Sequence, residues 1–175
     1  MAKRLAAIIL ALFVAAAGYW YYAPQMTIDK IRTALVTKDK ALLEEAVDFE
    51  KLRKNIKEQL KADLAQEMMD ADAQENPFAA LGLAFATKFL DPLIDGLVNP
   101  DTILKNLDKN ETKAKIEKID VEFTDREMDR VYGVVIDDEE GQKLRITLER
   151  YGITYRLTDI ELPKGSSKQL KKLKR

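Results

Sequence analysis

"KIEKIDVEFTDREMDRVYGVVIDDEEGQKLRITLERYGITYRLTDIELP", residues 115–163, is where the apolar period of this chain changes from the helical step to a step of two. Ile119, Val121 and Phe123 alternate with charges, and Tyr132, Val134 and Ile136 do the same. Leu144, Ile146 and Leu148 follow, then Ile153, Tyr155 and Leu157. Such alternation sets one face of a strand on a core and the other toward water. "DDEEGQ" (137–142) and "RYG" (150–152) supply turns between the later runs. Four strands in series with short connections predict an antiparallel meander with one covered face.

Everything upstream has a helical period. Pro24 is expected to end a first segment, and Thr27 to cap a helix bearing Ile28, Ile31, Leu35 and Val36. Asp39 caps a short helix with Leu42, Leu43 and Val47. Asp48 caps a long one, "FEKLRKNIKEQLKADLAQEMM" (49–69), whose Phe49, Leu52, Ile56, Leu60, Leu64 and Met68 form one apolar stripe. "DADAQENP" (70–77) interrupts, and Pro77 opens "FAALGLAFATKFL" (78–90), polar only at Thr87 and Lys88. A helix apolar almost all round is a core element, a pocket wall or a membrane-interface element, and this one is too short to span a bilayer. "DPLIDGLV" (91–98) and "NPDTILKNL" (99–107) each start with a capping residue and a proline, which predicts two short helices. Helices first and strands last make an α+β domain.

At the other end, Lys3 and Arg4 precede an uncharged run from Leu5 to Tyr22. As a helix it extends about 27 Å, close to the thickness of a hydrocarbon core. It finishes in Tyr19, Trp20, Tyr21 and Tyr22, whose rings favour the headgroup level. The expectation is a signal-anchor or transmembrane helix over 1–22, an extracytoplasmic domain over 23–163 and a basic disordered tail over 164–175. Positive charge ahead of the span places the body across the bacterial inner membrane, in the periplasm. The alternative is a cleaved signal ending near Ala15-Ala16-Ala17 and a body secreted to the periplasm. Cleavage there would leave an aromatic cluster with no evident partner.

Absences narrow the chemistry. The chain has no cysteine and no histidine, and its only serines are Ser166 and Ser167. Ser-His-Asp and Cys-His nucleophiles, disulfides and histidine- or thiolate-ligated metals are thereby excluded. All 30 acidic residues lie in 23–163, while two of the 29 basic residues precede that body and six follow it, leaving it nine charges negative. That distribution argues against nucleic acid as a partner.

"TALVTKDKALLEEAVDFEKLRKNIKEQL" (33–60), "LIDGLVNPDTILKNL" (93–107) and "ITYRLTDIELP" (153–163) together resemble an uncharacterised bacterial family, the domain of unknown function 2939. The stretch Val47–Arg53 is the most specific part, and the likeness runs in order over most of 20–163. It implies an N-terminal membrane segment and brings no catalytic residues. A looser likeness is to the nuclear-transport-factor-2-like superfamily, in which helices and a curved sheet form a cone around a pocket.

The candidate sites are few. Asp137–Gly141 and Asp70–Glu75 are acidic but miss calcium-loop spacing, so no metal and no cofactor is expected. Arg53 is expected either to bind an anion or to pair with a carboxylate on its own helix, such as Glu50. Phe78, Leu81, Phe85 and Phe89 on the apolar helix, with Tyr132 and Tyr155 on the strands, are the pocket or interface candidates. Lys168, Lys171, Lys172, Lys174 and Arg175 of the tail are candidates for anionic lipid or an acidic partner. No catalytic residue stands out. The reading is a membrane-anchored binding or interaction module of the envelope; the alternatives are a carboxylate-based pocket enzyme and a structural subunit of an envelope complex.

Overall fold

The computed structural model of the chain describes residues 2–70, 79–107, 116, 120–136 and 143–163. Helices α1 (Ala2–Thr37), α2 (Lys40–Ala46), α3 (Phe49–Asp70), α4 (Ala79–Leu97) and α5 (Pro100–Asn106) precede strands β1 (Asp120–Arg126), β2 (Arg130–Ile136), β3 (Lys143–Tyr151) and β4 (Thr154–Glu161). The strands form one antiparallel sheet in the order β1-β2-β3-β4, so the domain is α+β with a terminal meander.

α1 departs from its sequence reading. It runs unbroken for 36 residues through Pro24, about 54 Å from end to end. Pro24 removes the amide that would serve the Trp20 carbonyl. Its ring, however, is fully buried beside Ala23, and that packing holds the helix together. Thr27 is therefore no cap: it is buried and donates its hydroxyl to the Tyr155 carbonyl on β4 at 3.0 Å. From Ile8 to Tyr22 the large apolar side chains are exposed; from Ala23 on, one side is buried. Within the described residues this helix is long and apolar enough to cross a membrane, which suits an anchor or a signal sequence equally.

The caps follow the sequence. Asp39 accepts the Leu42 amide at 3.0 Å, Asp48 the Lys51 amide at 3.0 Å, and Asn99 the Thr102 amide at 2.8 Å, with Pro100 opening α5. Pro92 is a second correction: α4 continues through it to Leu97, so 78–90 and 91–98 are not separate helices. α3 buries Leu52, Ile56, Leu60 and Leu64 in its stripe, and α4 buries Leu90 and Ile94. Arg53 pairs across to α4, with Asp95 at 3.4 Å and the Val98 carbonyl at 3.2 Å, instead of along its own helix.

On the sheet, register sets the core face as Val121, Val135 and Leu144, then Phe123, Gly133, Ile146 and Ile160, then Val131, Leu148 and Leu157. On β2 this reverses the expected face. Val131 and Gly133 are buried, whereas Tyr132 and Val134 turn outward. A Cβ on Gly133 would stand 3.2 Å from Val121 Cγ1 and 3.3 Å from Phe123 Cδ1, so glycine lets β1 pack closely there. Ile153 belongs to no strand; with Gly152 in the left-handed region (φ +65°) it makes the β3–β4 turn.

The helical half and the sheet are joined at Asp48. Its amide donates to the Leu157 carbonyl, its neighbour Val47 bridges Leu157 in parallel, and its carboxylate accepts from the Tyr151 hydroxyl. Burial pushes the Asp48 carboxyl up, but the Tyr151 hydroxyl, the Lys51 amide and the charges of Lys51 and Arg156 outweigh it and hold the pKa below the ordinary aspartate value. A depressed carboxyl stabilises the fold above its unfolded pKa and loses that contribution as pH falls through the folded one. Asp48→Ala is expected to cost about 2 kcal/mol in urea unfolding of the full chain at neutral pH. The deficit relative to wild type should shrink as the pH is lowered through the aspartate range.

Candidate functional site

The outer face of the sheet is polar, because the residues alternating with the core positions are Tyr132, Arg145, Thr147, Glu149, Asp159 and Glu161. α3 does not lie flat on this face. It runs along β4, fastened by amide side chains: Asn55 donates to the Thr158 carbonyl at 3.0 Å, and Gln59 donates to the Ile160 carbonyl at 3.1 Å. The same Gln59 accepts the Leu162 amide at 2.8 Å. One flank of α3 and the outer face thus become the two walls of an open groove of about 850 Å³.

The helix wall is Gln59, Ala62, Asp63 and Gln66; the sheet wall includes Tyr132, Val134, Arg145, Thr147 and Asp159. A smaller recess of about 360 Å³, lined also by Asn55, Glu58, Arg130, Glu149 and Thr158, shares Gln59, Tyr132, Thr147 and Asp159 with it. Charge in the larger groove is lopsided. Asp63, Asp125, Glu127, Asp159 and Glu161 line it, and among the described residues the cation beside them is Arg145, itself paired with Glu161 at 3.7 Å. Tyr132 donates to Glu127 at 3.4 Å, which leaves its ring as the aromatic surface of the groove. No group of three acidic side chains among the described residues is arranged to hold a metal ion.

Asp159 is the half-buried acid at the centre. Burial raises its pKa above the ordinary aspartate value, and the charges of Glu161 and Glu149 raise it further; the Ile160 amide and Gln59, which donates at 2.8 Å, pull the other way.

The sequence candidates scatter. Tyr132 lines the groove, whereas Tyr155 is only 2% exposed and belongs to the core beneath α1. Phe89 is 57% exposed on α4, in line with exposed Leu93 and Leu97. Phe78, the side chains of Leu81 and Phe85, the acidic stretches Asp70–Glu75 and Asp137–Gly141, and the tail with Lys168, Lys171, Lys172, Lys174 and Arg175 lie outside the described residues. Gln59 and Asp159, which organise the groove, escaped the sequence reading, since a helical glutamine and a strand aspartate carry no signal of meeting across 100 positions.

An aspartate with a raised folded pKa favours folding when protonated and opposes it when ionised. Asp159→Asn, which keeps an acceptor for Gln59, should therefore melt higher than wild type at neutral pH. That gain should fade as the pH falls through the carboxylate range, read by thermal unfolding at a series of pH values.

Among known protein families, the model described as Protein of unknown function (DUF2939) matches residues 13–105, more than half of the chain. The match covers α1 from Phe13 through most of α5 and stops before the sheet, so the strand landmark 153–163 lies beyond it. No curated protein matches the chain. No solved structure matches it either, and the likeness to the nuclear-transport-factor-2-like superfamily has no support from that comparison. The chain belongs to the DUF2939 family.

Proposed function

We propose that this protein is a membrane-anchored binding module that works on the extracytoplasmic side of the bacterial inner membrane and captures a cationic partner in the groove between α3 and the sheet. The groove's charge carries this reading. Asp125, Glu127, Asp159 and Glu161 share about 850 Å³ with one guanidinium among the described residues, itself already paired, and the Tyr132 ring can stack on a guest. A lysine- or arginine-rich segment of an envelope protein has the matching chemistry, and an apolar ligand does not. The anchor rests on the exposed apolar length of α1 and on Lys3 and Arg4 ahead of it, which favour a cytoplasmic N-terminus. In the same reading the cations of 164–175 add contacts to anionic headgroups, each contributing about 1 kcal/mol.

Two measurements test it. After alkaline washing of membranes, the full-length polypeptide should stay in the pellet with its N-terminus intact; a soluble protein, or one starting near Gly18, overturns the anchor. Titrating the isotope-labelled protein in nanodiscs with a mixed Lys/Arg peptide should shift the amides of Gln59, Tyr132, Thr147 and Asp159. The affinity should fall as salt rises and with D125N/E161Q. Shifts absent from those positions overturn the groove as the binding place.

A further inference from the structure

Two arginines lie against the aromatic end of the span where α1 meets the sheet. The bulge at Thr124 and the pairing of Arg126 with Val131 put Arg126 on the core face of the sheet, at the end bearing the β1–β2 and β3–β4 turns. Arg150, opposite Tyr155, is on the same face at the same end. α1 crosses there. The Arg126 guanidinium is 4.6 Å from the Tyr21 ring centre and donates to the Tyr21 carbonyl at 3.0 Å. That of Arg150 lies 5.6 Å from the Trp20 ring and 5.7 Å from the Tyr155 ring.

Neither guanidinium meets a carboxylate among the described residues, although acids are close by. Asp125 and Glu127 line the groove, and Glu149 is taken by Lys51 at 2.6 Å and Arg130 at 3.5 Å. The Nε of Arg150 is buried and has no acceptor among the described residues. Each guanidinium carries five donors in a fork suited to phosphate oxygens. Arg126 uses one donor on Tyr21, and Arg150 makes no side-chain hydrogen bond within the described residues.

Their height relative to a bilayer follows from α1. If Trp20 and Tyr21 sit at the headgroup level, groups about 5 Å from their rings sit there too. Met128 is two residues beyond Arg126 and Ile153 three beyond Arg150, within about 10 Å of that level by chain length alone. Both are turn residues exposed to an unusual degree, 85% for Met128 and 76% for Ile153. Apolar turn tips beside arginines lacking acid partners, at the exit of an apolar helix, fit a lipid surface.

We propose that this end of the sheet is a seat for the phospholipid headgroup layer: Arg126 and Arg150 hold lipid phosphates while Met128 and Ile153 dip between the headgroups. The seat rests on the anchor reading above and extends it, because it fixes how the body stands on the membrane. It also gives the aromatic run partners within the fold, which the sequence did not reveal.

The chain has one tryptophan and no cysteine, so Trp20 reports the span and single cysteines report the body. Full-length M128C, I153C and K143C, each carrying an environment-sensitive fluorophore, are placed in phosphatidylcholine nanodiscs with headgroup-spin-labelled lipid as quencher. Trp20 and the probes at 128 and 153 should be quenched, and the probe at 143, at the opposite end of β3, should not. Quenched Trp20 with tip probes as bright as the probe at 143 overturns the seat and leaves the anchor standing. Unquenched Trp20 overturns both. Adding R126Q/R150Q should abolish tip quenching and spare that of Trp20; tip quenching that survives overturns the role of the arginines.

Discussion

The outward edge of β4 is where this fold is decided. An edge strand offers a row of unpaired backbone groups that must be covered or made unattractive. Here no further strand covers it. Thr27 of α1 takes the Tyr155 carbonyl, the Asp48 amide takes that of Leu157, Asn55 takes that of Thr158, and Gln59 takes that of Ile160. Three parts of the helical half, each about 100 residues or more from β4 in sequence, thus converge on one strand. The long apolar helix α1 is thereby fixed to the sheet at one buried hydroxyl, and the family-like stretch Val47–Arg53 acquires a structural meaning as the joint between the halves. The opposite edge, β1, carries Glu122, Asp125 and a bulge at Thr124, common devices against edge-to-edge pairing.

Both surfaces of interest follow from that edge. Because α3 lies along β4, the outer face stays largely uncovered, and the acids that keep it soluble become a groove wall. Because α1 crosses the other face near the turns, the core gives way there to Arg126 and Arg150 against Trp20 and Tyr21. The two surfaces lie on opposite faces of one sheet. A body seated on lipid by its turn end would hold the groove at a constant angle to the membrane.

Much of this was legible beforehand, and the misses have physical causes. The change of period at 115–163, the caps Asp39, Asp48 and Asn99, and the stripe of α3 are local signals, and local geometry honours them. Pro24 and Pro92 are also local signals, but burial of Pro24 and packing of α4 on α3 outweigh the lost hydrogen bond at each. The face of β2 was illegible because "RVYGVVI" is apolar at both parities, and only its neighbours choose Val131, Gly133 and Val135. Bulges at Thr124 and Thr158 shift the phase of β1 and β4, which strict alternation does not anticipate. The groove was half legible. Tyr132 is a natural pocket aromatic, whereas Gln59 and Asp159 gain their roles only through a contact 100 residues long.

What ties the proposed anchor, the edge and the groove together is the continuity of α1 through Pro24, which puts the exposed apolar length and the packed length on one helix. Spin labels at L12C and T37C in the reconstituted full-length protein measure this directly by electron–electron dipolar spectroscopy. An unbroken helix predicts a single narrow distribution centred at about 38 Å between backbone positions. A broad or markedly shorter distribution would show a joint at Pro24, and with it a body free to swing on its anchor.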